Sequence, residues 1–197
     1  VVVLDAVAGV QPQSETVWRQ ADRYAVPRMC FVNKMDRVGA SFERTIDSIR
    51  HRLKANPVPI QYPLLTGDES RMVGVADLID SKAVIYGGDN DEPFQETEVP
   101  SEYSEVFQKY REAMIEKIVE TDDGLMTRYL EGESIGSEDL RSALRRATVS
   151  GYVVPVLCGS ALSEKGIGIH SLMDAIVDYL PSPLDVSSVT GLHPETN

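Results

Sequence analysis

Apolar residues fall in two patterns along this chain. Toward each end, short unbroken apolar runs alternate with segments whose apolar positions recur every three or four residues, which predicts buried strands separated by amphipathic helices. Val1–Leu4 is the first run, followed by a loop from Asp5 to Gln11. A helix is predicted from Gln13 to Ala25, with Val17, Trp18, Ala21 and Tyr24 on one face and Ser14 as its cap. The second run starts at Met29, is bounded by Pro27 and Gly39, and breaks off in Asn33-Lys34-Met35-Asp36. A second helix is predicted from Phe42 to Ala55, capped by Ser41, burying Phe42, Ile46, Ile49 and Leu53, and ended by Asn56-Pro57. Strand, helix, strand, helix predicts an α/β fold with a doubly wound, mostly parallel sheet.

The next strand of that sheet is due within a few residues. The matching run, Tyr152–Cys158, comes much later. Residues 58–151 are too long for a loop and carry their own patterns, so they predict an inserted α+β subdomain. Strands are expected at Val58–Leu65, Met72–Ile79 and Lys82–Tyr86 of an antiparallel sheet, with turns at Thr66–Ser70 and Asp80-Ser81. A loop from Gly87 to Pro100 leads to a helix from Glu102 to Glu120, whose stripe of Phe107, Tyr110, Met114 and Ile118 is expected to pack on the insert's sheet. Glu105, Glu112, Glu116 and Glu120 lie roughly opposite that stripe. Helical pieces follow at Leu125–Leu130 and at Glu138–Val149, the latter started by Ser137 and stopped by Gly151.

A last helix, Ile169–Tyr179, is expected to bury Leu172, Met173, Ile176 and Val177, and Pro181-Ser182-Pro183 closes it. Residues 184–197 read as a linker. The expected division is therefore 1–57 and 152–183 for the parallel domain, 58–151 for the insert and 184–197 for the linker. Because the chain opens inside a strand with no start Met, it reads as part of a longer protein.

Composition narrows the function. The 31 acidic and 19 basic side chains give a net charge of -12, which argues against a broad nucleic-acid surface and allows basic protein partners. Cys30 and Cys158 sit in apolar runs and are read as free thiols of a reducing compartment. The histidines at 51, 170 and 193 have no metal-ligand spacing, so no metal site is assigned. No apolar run approaches a membrane span.

The chemistry lies in two loops. Asn33-Lys34-Met35-Asp36 would leave the carboxyl end of a parallel strand, the edge where open sheets bind ligands. The Asp36 carboxylate can accept from both the imino and the exocyclic amino group of guanine, a donor pair that adenine lacks. Asn33 would brace the loop and reach the base edge, and the stem of Lys34 would lie along the ring. By itself the quartet is also an ordinary strand-to-helix loop, where Asn and Asp are common. The second loop, Gly159-Ser160-Ala161-Leu162, follows the late strand and resembles the Ser-Ala-x loop of GTP-binding proteins. That likeness implies a backbone amide at Ala161 meeting the base carbonyl, where a small residue allows close approach. Together the two loops favour a guanine pocket over a structural loop.

The whole chain resembles elongation factor G, the ribosomal translocase among translational GTPases. The resemblance is carried by Val3 through Val10 followed by Gln13-Ser14-Glu15, by Asn33-Lys34-Met35-Asp36, by Asp123-Gly124-Leu125-Met126 through Glu133, and by Gly159-Ser160-Ala161-Leu162 with Lys165-Gly166. Asp178 through Pro183 is similar to that domain's exit. The departures are Leu162, where Phe is common, and Glu164, where Asn is common. The resemblance implies a partial P-loop-NTPase-like domain that binds GTP or GDP, in a cytoplasmic protein that hydrolyses GTP on the ribosome during translocation. Asn33, Lys34, Asp36, Ser160, Ala161 and Leu162 would hold the base. Glu112, Glu116 and Glu120 would face the C-terminal domain of the ribosomal stalk protein, with ribosomal RNA contacts coming mainly from elsewhere.

No Gly-x-x-x-x-Gly-Lys-Ser/Thr occurs in the chain, so the phosphate cradle, the Mg2+ ligands and the catalytic residues are expected outside it, and the chain alone is expected to be inactive. Asp36-Arg37-Val38-Gly39 matches Asp-x-x-Gly only formally, since its Asp is committed to the base. Termination factor three and the tetracycline-resistance protection proteins share both loops and remain alternatives. Two others are a protein-interaction module centred on the insert and a metabolic enzyme in which the quartet is coincidental, although no other catalytic constellation is visible.

Overall fold

Parallel strands buried on both faces need helices on each side, and the chain supplies them in alternation. The computed structural model describes residues 1–66, 71–87, 94–163 and 165–185. In order, these form β1 (Val2–Asp5), α1 (Pro12–Arg23), β2 (Cys30–Asn33), α2 (Phe42–Arg52), β3 (Pro57–Pro59), β4 (Gln61–Leu65), β5 (Met72–Asp77), β6 (Lys82–Ile85) and β7 (Gln95–Thr97). Then come α3 (Ser104–Val119), α4 (Asp123–Leu130), α5 (Ser137–Val149), β8 (Val154–Cys158) and α6 (Ile169–Tyr179). One sheet is all parallel, in the order β1-β2-β8-β3. The other is antiparallel, in the order β4-β5-β6-β7.

Register sorts the parallel sheet's side chains onto two faces. Leu4, Val32 and Cys158 are aligned across β1, β2 and β8 and share a core with Trp18 of α1 and Phe42, Ile46 and Ile49 of α2. One position earlier on each strand, Phe31 and Leu157 are aligned and turn to the opposite face. There they pack with Met114 of α3, Leu144 of α5, and Leu172 and Ala175 of α6. Helices from the inserted stretch thus cover one face of the parallel sheet.

Several expectations change. The strand expected over Val58–Leu65 is two strands in different sheets, divided at Ile60. The Ile60 N–H donates to Val156 O (3.0 Å) in the parallel sheet, while its carbonyl accepts from Leu78 N (3.0 Å) in the antiparallel one. A single residue completes both ladders, so β3 pairs in parallel with β8. The expected loop before Pro100 contains β7, an edge strand of three polar residues that no hydrophobic pattern reveals. Residues 88–93 of that loop, 67–70 of the expected turn before β5 and 186–197 of the expected linker lie outside the described set. Ser14 is not a cap. Helix α1 begins at Pro12, whose fixed φ and missing N–H suit a first helical position. Val17 and Tyr24 are exposed, and burial on α1 is carried by Trp18, over whose ring the Arg28 guanidinium sits at 4.3 Å.

On α6 the buried positions are Leu172, Ala175 and Tyr179, while Met173 and Val177 are exposed. Leu172, Ala175 and Tyr179 recur at helical spacing and make the buried stripe, which leaves the larger aliphatic Met173 and Val177 on the outer side. On α3, Tyr110 meets Tyr62 of β4 with ring centroids 4.8 Å apart, and the rest of the stripe shares the core with α5.

The exit from β8 is built on a close approach. A Cβ on Gly159 would lie 2.3 Å from Ile167 O and 2.6 Å from the Phe31 ring. Gly159→Ala is therefore expected to destabilise the protein by about 1–3 kcal/mol. An unchanged urea midpoint would show that the loop relaxes freely.

Candidate functional site

Strands β2 and β8 are neighbours, so the loops that leave their carboxyl ends meet. Backbone bonds join the loops first: Gly159 N–H donates to Val32 O (2.9 Å) and Met35 N–H to Gly159 O (3.2 Å). Side chains then cross-brace them. Asn33 Oδ1 accepts from its neighbour Lys34 N–H (2.8 Å) and, across the gap, from Ala161 N–H (3.0 Å). Ser160, only 1% exposed, donates from Oγ to Asp36 Oδ1 at 2.6 Å. The second loop is closed on itself, with Ser160 N–H on Ile167 O (2.9 Å) and Ser163 Oγ on Ser160 O (2.8 Å).

Lys34 takes a left-handed backbone, φ 66°, which costs a residue with a Cβ about 1–2 kcal/mol. Two contacts offset this: the Asn33 side chain on its N–H, and Asp5 on its ammonium, Nζ to Oδ2 at 2.7 Å. Asp5 closes β1 and is paired in register with Asn33. Its other oxygen accepts from Val7 and Ala8 N–H (2.9 and 3.2 Å). The bond from Lys34 is the largest influence on the Asp5 carboxyl and pulls it down to about 2. Asp5 takes part in the site although its chemistry was not anticipated. The available signal was an acid ending a strand at the binding edge of a parallel sheet.

Four of the six expected base residues, Asn33, Asp36, Ser160 and Ala161, are thus joined directly, and Lys34 is fixed beside them. The Ala161 N–H, expected at a base carbonyl, is engaged by Asn33. Leu162 joins no part of this network and is 91% exposed; Glu164 lies outside the described residues. Among the described residues Asp36 Oδ2 and Asn33 Nδ2 have no protein partner, which leaves a carboxylate acceptor and an amide donor available at one edge. That donor set fits the edge of a guanine ring. A cavity of about 300 Å³ opens between Asp5, Gly9, Asn33 and Lys34.

The acidic residues of α3 are separate from this site. Glu105, Glu112, Glu116 and Glu120 are all exposed, but exposed Lys109 lies among them and Lys117 pairs with Glu120 at 2.9 Å. Cys30 and Cys158 are buried free thiols, and burial pushes Cys30 up to about 12. Among the described residues no group of three or more His, Cys, Asp or Glu is placed to hold a metal ion, and no helix is long and apolar enough to cross a membrane.

The family described as the elongation factor Tu GTP binding domain matches residues 1–182. A crystal structure of a protein from Thermus thermophilus superposes with a TM-score of 0.79 at 37% sequence identity, over 92% of this chain. The match spans 26% of that protein's chain, so the present chain corresponds to about a quarter of it.

The Asp5–Lys34 pair has a defined pH signature. A carboxyl held below its ordinary 3.8 contributes stability that is present above that value and is lost as pH falls through about 2. With both side chains partly exposed, Asp5→Asn is expected to cost about 1 kcal/mol at neutral pH. The gap to the parent should narrow as the pH falls below 3.8. Urea unfolding across that range measures it, and a gap that is constant with pH would show that the charge on Asp5 contributes nothing to stability.

Proposed function

The chain belongs to the family of the elongation factor Tu GTP binding domain, and from that premise we propose that it is the guanine-reading part of a translocase of the elongation factor G type. In this reading the intact protein hydrolyses GTP on the ribosome in the cytoplasm during translocation. The observation that carries base reading is the joining of the two loops, with Asn33 bonded to Ala161 and Ser160 bonded to Asp36. Asp36 accepts from the guanine imino and amino groups, Asn33 Nδ2 reaches the base edge, and the Lys34 stem covers the ring while Asp5 holds its ammonium. GTP or GDP brings its phosphates and Mg2+ to groups outside these 197 residues, which contain no phosphate-loop motif. The choice of the translocase over its ribosome-bound relatives rests on the resemblance through the insert.

A second role is favoured by the exposed glutamates of α3. Here Glu112 and Glu116, with Glu120 at the helix end, steer the basic C-terminal domain of the ribosomal stalk protein onto the insert.

In the intact protein, Asp36→Asn is expected to weaken guanine nucleotide binding at least about tenfold and to shift preference toward xanthine, whose carbonyl replaces guanine's amino group. Asn can still accept from Ser160, so the loop brace survives. Nucleotide titration decides, and undiminished guanine affinity would refute base reading by Asp36. Reversing Glu112 and Glu116 to Lys is expected to weaken stalk-domain binding, more at low salt than at high salt. Equal low-salt binding by the double variant and the parent would make the glutamates a solvated face.

A further inference from the structure

A second cleft, of about 150 Å³, lies where the β5–β6 hairpin meets α6, with apolar walls from Ile60, Val84, Leu157 and Ala175. Gln61 and Asp77, directly opposite in register on β4 and β5, both line it. Gln61 is 2% exposed, and its Oε1 is buried with no hydrogen-bond partner. Native interiors rarely leave such an acceptor dry. Asp77 spends one oxygen on the hairpin, where Oδ1 accepts from Ile79 and Asp80 N–H (2.8 and 2.9 Å). Among the described residues its Oδ2 has no protein donor.

The nearby cations are committed elsewhere. Arg141 makes a two-point pair with Asp80 (2.9 and 2.5 Å), Lys82 pairs with Glu96 (3.0 Å), and Arg111 donates to the Leu78 and Ile79 carbonyls. Asp174 and Asp178 of α6 also line the cleft, and Asp174 pairs with His170 at 3.3 Å. With Asp77, Asp80, Glu96, Asp174 and Asp178 on its walls against Arg141, the cleft's lining is net negative, and burial holds the Asp77 carboxyl above its ordinary range although Arg141 pulls it down.

A ligand for this cleft needs positive charge, hydrogen-bond donors and an apolar body. No group of three acidic or histidine ligands with metal spacing exists among the described residues, which removes a metal shell. A cavity of about this volume can hold a benzene ring, and hence the roughly five heavy atoms of a lysine-type chain. We propose that the cleft binds a primary alkylammonium group, with Gln61 Oε1 and Asp77 Oδ2 as its acceptors and the apolar walls around its carbon stem.

Such a group can come from a free diamine or from a lysine side chain of a protein partner. Titrating the full-length protein with 1,5-diaminopentane and, separately, with Nα-acetyl-lysine methylamide, followed by NMR of the Ile79 and Asp80 backbone amides that bond Asp77, tests both sources. Saturable binding of the diamine alone identifies a free amine, and binding of the lysine amide identifies a protein lysine. Either is expected to weaken at least about tenfold in Asp77→Asn, which preserves the acceptor for the hairpin amides, and in Gln61→Met, which preserves bulk. Should Asp77→Asn not fold, Gln61→Met decides. Absence of saturation by either probe below about 10 mM, or variants that bind as the parent does, would overturn the proposal.

Discussion

The pairing of β8 on both of its edges is the constraint on which the rest of the structure depends. All five of its residues are buried, and its neighbours β2 and β3 both precede it by a long stretch of chain. Only when β8 is seated does Ser160 reach Asp36, which lies 124 positions earlier in the chain. Closing so long a loop costs only slightly more entropy than closing a moderate one, because the cost grows with the logarithm of length. The greater consequence is kinetic, since such pairings form late and slow folding. The joining of the two loops is thus a result of completed tertiary structure rather than of a local motif that could form early.

That dependence explains why the inserted stretch is more than an appendage. Its helices α3 and α5 cover the face of the parallel sheet that carries Phe31 and Leu157. Ile60 ties the two sheets through its own N–H and carbonyl. Phe42 of α2, Tyr62 of β4 and Tyr110 of α3 form a cluster of aromatic contacts, and both tyrosine hydroxyls donate to Glu43. At the other end Arg145 of α5 caps α6 through Asp178 O (2.7 Å) and Leu180 O (3.1 Å), and holds Asp185 at 2.8 Å. The acidic helix therefore packs on the same parallel sheet whose edge carries the two loops.

What could be read in advance follows from these forces. Elements that bury large apolar residues against the sheet, such as β2, α2 and β8, show in the hydrophobic pattern. Strand β7 does not, because an edge strand of Gln, Glu and Thr needs only backbone pairing. The split at Ile60 is invisible for a different reason: no turn signal divides β3 from β4, and β3 joins a partner far away in sequence while β4 joins the next strand. The same holds within the site. Asn33 and Asp36 are legible from their order, but Asp5 acquires meaning only from its register with Asn33. Likewise the bond from Ala161 to Asn33 depends on how near two loops come, which spacing along the chain does not encode.

The site also separates what must be exposed from what must be held. Asp36 is exposed, and so is Ala161, as the proposed base reading requires. The groups that place them are not. Ser160 and Met35 are each 1% exposed, and Gly159 has no room even for a methyl group. Binding a small ligand is penalised by every loop that must be ordered on contact. Here the ordering is done during folding, by a buried hydroxyl and a backbone bond from Met35 to Gly159. Removing the Ser160 hydroxyl would take away the bond that holds the Asp36 carboxylate, the group proposed to read guanine. The placement of Asp36 is thus a property of the β2–β8 junction rather than of the Asn-Lys-x-Asp quartet alone.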